Sequence, residues 1–266
     1  MITKYDTIYL DTCSLWTQGF SIKSFDKIKF RSIRDISNSL ETLIQTTPQI
    51  EIVPEVYEEL RPIFDKFEYL ERRLVSAKNL GNFKSKKRDE FYSKYRKNKD
   101  ILKKYKRLIN DVKKKTEKTE TSKLFPDIFR IMNFLATNHT NIKEKDPNNP
   151  NFTDEILISY VVQELIERGN KIAIVSRDFD LYHLLTNSIE SLRFKDFIPY
   201  NIPLIEQLNK GQIDLFIGSV DKNELVYSTR VNLPPHYTRF VPKLNTDENV
   251  KSMYGMIKNF WEQYAY

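Results

Sequence analysis

Short apolar runs alternate with helix-period stretches from residue 6 onward. DTIYL (6–10) reads as a buried strand that stops at Asp11, because Ile8, Tyr9 and Leu10 are strand formers. Ile33, Ile36, Leu40, Leu43 and Ile44 recur at helical spacing over 33–46, with Pro48 just beyond. QIEIV (49–53) predicts a second strand, and Pro54 opens a helix whose pattern (Phe64, Phe67, Leu70, Leu74, Ala77) ends at Gly81-Asn82, with a break expected at Pro62. A further helix starts at Pro126 and bears Ile128, Ile131, Met132, Phe134 and Leu135. After the loop 143–152, Thr153 is expected to cap a helix over 154–168, which Gly169-Asn170 terminates. KIAIVS (171–176) is apolar enough for a strand covered on both faces. Leu181, Leu184 and Leu185 mark another helix, DFIPYNI an extended stretch, 213–218 with 224–231 a hairpin, and the chain from about Asp247 a final amphipathic helix.

This order predicts an α/β fold, a three-layer α/β/α sandwich with a mostly parallel central sheet. We place the main domain at 1–205, with a long basic helical insertion at about 64–145. Residues 206–266 are expected to form a C-terminal hairpin-plus-helix extension packed on it.

Composition removes several classes. One cysteine (Cys13) in 266 residues excludes a disulfide framework or a multi-cysteine metal site, and His139, His183 and His236 fit no zinc spacing. The absence of a signal peptide or an apolar run near 18 residues leads us to expect a soluble, cytoplasmic protein with no membrane partner.

Charge adds a second feature. Residues 84–123 carry 17 Lys and Arg against 6 Asp and Glu, so the net +7 of the chain hides an acidic remainder. Ile101, Tyr105, Leu108 and Val112, with Phe91 and Tyr95 before them, give this segment one narrow apolar stripe. It reads either as a solvated arm packed on its own domain or as a phosphate-contact surface.

Acids cluster where strands end. Asp11 follows the first strand, Asp178 and Asp180 follow KIAIVS, Asp154 opens the preceding helix, and Glu58 and Glu59 lie in the helix after the second strand. The carboxyl ends of parallel strands line a ligand crevice. Oxygen-only donors there suit Mg²⁺ or Mn²⁺, which activate water for phosphodiester attack. Each acid also has an ordinary reading as a turn former, a helix cap or a solvated side chain. Cys13 breaks the D-x-D and D-x-S-x-S patterns of phosphatase-type and integrin-type sites, and no phosphate-binding glycine loop occurs. Cys13 itself has no histidine near it in sequence and reads as a structural thiol.

YLDTCSLW (9–16), VPEVYEEL (53–60), TDEILISYVV (153–162) and IVSRDFDL (174–181), in that order, resemble the acidic motifs of the PIN-domain nuclease superfamily. The resemblance covers about 1–60 and 150–200. It implies a PIN-like nuclease domain in which Asp11, Glu59, Asp154 and Asp178 are metal ligands for Mg²⁺ or Mn²⁺. Asp180 would be an auxiliary acid, with Thr12, Ser14 and Ser176 bracing the site or touching a phosphate. It further implies a metal-dependent endoribonuclease, with RNA favoured over DNA. Lys86, Lys87, Arg88, Lys103, Lys104 and Arg107 of the arm would hold the nucleic acid, and a protein regulator is a possible partner. The rival expectations are a non-catalytic PIN-like module that binds RNA or protein, and a structure-specific DNA nuclease.

Overall fold

The computed structural model describes residues 4–16, 30–79, 86–116, 121–138, 145, 151–192, 210–219 and 222–230. Five strands, β1 (Thr7–Leu10), β2 (Ile50–Glu51), β3 (Lys171–Ser176), β4 (Gln212–Ser219) and β5 (Lys222–Ser228), form one sheet in the order β2-β1-β3-β4-β5. The first four are parallel and β5 returns antiparallel to β4. Among the described residues there are seven helices: α1 (Thr12–Leu15), α2 (Phe30–Thr46), α3 (Pro54–Asn79), α4 (Lys86–Thr116), α5 (Phe125–Asn138), α6 (Thr153–Arg168) and α7 (Phe179–Leu192). The protein is therefore α/β with a mostly parallel central sheet, as the sequence pattern predicts.

The two central strands explain the architecture. All four positions of β1 are buried, as are Ile172–Ser176 of β3. A strand buried on both faces needs helices above and below it. Each Ile or Val so placed contributes about 1.5–3 kcal/mol from leaving water. Helix α6 supplies much of the cover: Leu157, Ile158, Val161, Val162, Leu165 and Ile166 are all fully buried. It lies against α5, α7 and β3, while α4 lies against α2 and α3. Gly169 ends α6 at φ 63° with its N–H on the Leu165 carbonyl, a left-handed turn for which glycine is suited.

Four expectations change. Thr153 does not cap α6 but is its first residue, and the Asn151 side-chain oxygen accepts the Thr153 N–H at 3.0 Å. Helix α3 runs through Pro62 without a break, because Pro62 lies on the exposed side, where water can serve the carbonyl that its missing N–H leaves unpaired. The buried face of α4 is Tyr95, Leu102, Tyr105, Ile109 and Val112, while Ile101 and Leu108 are only half-buried. The hairpin expected in a C-terminal extension belongs to the central sheet, with β4 paired to β3 over six residues from Lys171↔Gln212 to Ser176↔Ile217. The side chain of Phe91, the extended DFIPYNI and the final helix lie outside the described residues. No helix among those described is long and apolar enough to cross a membrane.

Candidate metal centre

The chain leaves β1 for β2 on one side and returns as β3 on the other. The crevice at such a reversal of strand order, beyond the carboxyl ends, is where open α/β sheets take ligands. Leu10 pairs with Val175 at the end of both strands, and the Asp11 N–H donates to the Val175 carbonyl at 3.0 Å. Asp11 and Ser176 thus leave the sheet side by side. The Ser176 hydroxyl donates to Asp11 Oδ2 at 2.7 Å and accepts the Asp178 N–H at 2.9 Å. One serine therefore ties the two strand ends together.

The carboxylates differ in how they are held. Asp11 is 2% exposed and stands at the N-cap position of α1, yet its carboxylate caps nothing. Burial pushes its pKa up to about 6, and Glu59 and Asp178 push the same way, against the Ser176 hydroxyl and the Thr12 N–H. Asp154, on the first turn of α6, is held well above the usual carboxylate range by burial and then by Asp11, Asp178, Glu155 and Glu59. Glu59 takes the Thr12 hydroxyl on one oxygen and the Asn151 amide on the other. Its neighbour Glu58 turns outward to Arg61 at 2.8 Å, so Glu59 is the member of the pair that faces the crevice. Asp178 Oδ1 accepts the Asp180 N–H at 2.9 Å, an N-cap contact for α7. Burial pushes the Cys13 thiol up, and the same four carboxylates, Asp11, Asp178, Asp154 and Glu59, add to it. A thiol in that field is a poor nucleophile. Ser14 Oγ donates to the Asp11 backbone carbonyl at 2.7 Å and so fixes the α1 turn.

No family model, curated protein or solved structure matches the chain.

Two buried carboxyls, Asp11 and Asp154, that both feel Glu59 and Asp178 are costly together unless a cation shares them. With oxygen as the only donor atom, the set fits a hard divalent ion. Among the described residues, no group of three His, Cys, Asp or Glu side chains already stands arranged to hold an ion. Three hydrogen bonds occupy oxygens that such an ion would need. Glu59 is tied on both oxygens, and Asp178 uses one oxygen on α7, so a cation would have to draw Glu59 from Thr12 and Asn151 and take the free oxygen of Asp178.

Three further residues belong to this place. Asn151 bridges α3 and α6: its amide donates to Glu59 while its oxygen accepts the Thr153 N–H and, at 2.7 Å, the Thr153 hydroxyl. Lys145 pairs with Glu155 and donates to the Asn151 backbone carbonyl. Glu155 is 1% exposed, beside Asp154. An Asn two residues before a helix is a capping signal, and that could have drawn attention to Asn151. Nothing in the sequence marks Lys145.

The basic helix is nailed to the same region. The Tyr105 hydroxyl donates to the Leu15 carbonyl at 2.7 Å, four residues after Asp11, and the Tyr105 ring lies 5.6 Å from Trp16. Lys104, expected to hold nucleic acid, instead reaches Glu41 at 2.7 Å and Asn38 at 3.3 Å on α2. Lys86, Lys103 and Arg107 are exposed, while the side chains of Lys87 and Arg88 lie outside the described residues.

Proposed function

We propose that this chain is a metal-dependent endoribonuclease built as a PIN-like three-layer sandwich, with the α4 region inserted between the second and third strands. The observation that carries the reading is that Glu59 and Asp178 both act on buried Asp11 and Asp154 at the reversal of strand order. These four would hold Mg²⁺ or Mn²⁺. The ion supplies a Lewis acid that activates water and offsets charge on the scissile phosphate.

The remaining roles fall to the chain's own atoms. Ser176 orients Asp11 and, through its oxygen, the backbone of Asp178. Thr12 and Asn151 keep Glu59 beside the crevice until a cation competes for it. Asp154, whose proton is retained by burial and by its neighbours, releases that proton when a cation replaces it. Asp180, at the start of α7, is the auxiliary acid closest in sequence to Asp178.

The test is cleavage of end-labelled single-stranded RNA and matched DNA in Mn²⁺, Mg²⁺ or EDTA, with Asp178→Asn as control. Asparagine keeps the oxygen that caps α7 and removes the charge, so a loss of activity reads the site rather than the helix. Metal-dependent RNA cutting that the variant lacks is expected. No cutting in any metal would leave a non-catalytic binding module, and cutting of DNA alone would make it a DNA nuclease.

A further inference from the structure

Helix α4 sorts its cations onto two sides. Toward its own domain, Lys99 pairs with Glu71 at 2.5 Å, Lys104 with Glu41 at 2.7 Å and Lys106 with Glu68 at 3.1 Å. Lys113 lies 4.1 Å over the Tyr57 ring, and Lys115 donates to the Ile44 carbonyl at 2.9 Å. These five fasten the helix to α2 and α3 and are not free for a ligand.

Lys86, Lys94, Arg96, Lys97, Lys103, Arg107 and Lys114 are exposed. Arg96 lies 5.8 Å over the Tyr92 ring and Lys103 acts on the Glu71 carboxyl, and none of the four at 96, 103, 107 and 114 makes a close ion pair among the described residues. At about 100° per residue, positions 96, 103, 107 and 114 fall within about 20° of one line parallel to the helix axis. Tyr105 and Val112, both buried, lie about 160–180° away, so the line faces directly outward. With about 1.5 Å of rise per residue, the row is about 27 Å long. Exposed Asp100 and Asp111, about 40° and 60° round the helix, both lie along one side of it, and half-buried Lys99 and Lys106 lie along the other.

We propose that Arg96, Lys103, Arg107 and Lys114 form a linear track for the phosphate backbone of single-stranded RNA. The choice of RNA follows the ribonuclease reading above; the binding itself does not depend on cleavage. A row of exposed cations along one line matches one strand of a polyanion. A protein partner would need an apolar centre to its interface, and the exposed residues of this face are charged. Rigidity comes from the inward side: the ion pairs and Tyr105 hold α4 against the turn that follows Asp11, so bound strand and crevice keep a fixed relation. The track lies on the far side of α4 from Tyr105, about 10 Å across the helix. It would therefore govern affinity rather than the chemical step.

Binding is measured by fluorescence anisotropy with labelled oligo-uridylate, in EDTA, on the Asp178→Asn protein, across a salt series. Replacing all four residues by Gln should lower the slope of log Kd against log salt by about 3, since each phosphate contact on a single strand contributes about 0.7. Lys104→Gln with Lys106→Gln, on the inward side, should leave the slope unchanged while lowering the unfolding midpoint. An unaltered slope in the fourfold variant, with its helical circular dichroism intact, overturns the track. So does a polyglutamate peptide that competes as well as the RNA, or tighter binding of oligo-deoxythymidylate than of oligo-uridylate. Because no metal or turnover enters, failure here leaves the nuclease reading standing, and an inactive but RNA-binding protein leaves the track standing.

Discussion

Asp11→Asn should make the metal-free protein more stable, and the size follows from the site. The Asp11 carboxyl is 2% exposed and titrates at about 6 rather than 3.8. A raised carboxylate pKa means the folded state binds the proton more tightly than the unfolded chain. The Asp11 contribution to stability is therefore fully present below pH 4, falls as pH rises through 6, and is lower by about 3 kcal/mol above that, at 1.36 kcal/mol per pH unit. Asparagine removes that penalty. Its neutral amide oxygen accepts the Ser176 hydroxyl and the Thr12 N–H less strongly than a carboxylate does, which costs about 1 kcal/mol. The net gain at pH 8 is about 2 kcal/mol, or about 5 °C in Tm for a chain of this size. Urea unfolding in EDTA at pH 4, 6 and 8 measures it. The wild-type protein should lose more stability from pH 4 to 6 than the variant, in which Asp154 and Glu51 still titrate, and added Mn²⁺ should raise the midpoint of the wild type alone. A variant less stable than wild type at pH 8 would refute the argument that the carboxylates repel one another in a buried site.

Two further outcomes are expected. Asn151→Ala removes the amide that a cation would have to displace from Glu59 and the acceptor of the Thr153 N–H, so Mn²⁺ affinity measured by calorimetry should rise while the lost cap costs about 1 kcal/mol of stability; unchanged affinity would remove Asn151 from the site. Glu51, on β2, is pushed up to about 7 by burial and by Glu164, against Tyr9 and Arg168; stability should therefore keep falling between pH 6 and 7 in Asp11→Asn, and Glu51→Gln should reduce that slope in urea titrations at each pH, leaving the part due to Asp154.

How legible these features were depended on whether neighbours along the chain or neighbours in space decide them. KIAIVS was readable residue for residue, because an uninterrupted apolar run closed by Gly169-Asn170 on one side and Asp178 on the other admits one reading. Asp11, Asp154 and Asp178 were readable because strand ends and helix starts set their places. The outward face of α4 was not. The series 101, 105, 108, 112 and the series 102, 105, 109, 112 have almost the same period, and the choice falls to Leu15 and Trp16, which receive Tyr105. Lys104 looked free for the same reason: Glu41, its partner, lies 63 residues earlier. Glu58 and Glu59 differ by one step of the helix, and only Thr12, 47 residues upstream of Glu59, separates them. Pro62 signalled a break that the solvent side of α3 did not require.

The order of strands also sets a clock. β1 lies between β2 and β3, so the first strand made is completed on one edge by residues about 40 positions later and on the other by residues more than 160 positions later. A ribosome adding about 5–20 residues per second takes about 8–33 s to travel from Asp11 to Asp178. Until then a growing chain holds Asp11 and Glu59 without Ser176 to tether the first or Asp178 to join the second. Whatever the crevice does, it begins only after the third strand has been threaded into place, and pairings at such separation in sequence close slowly.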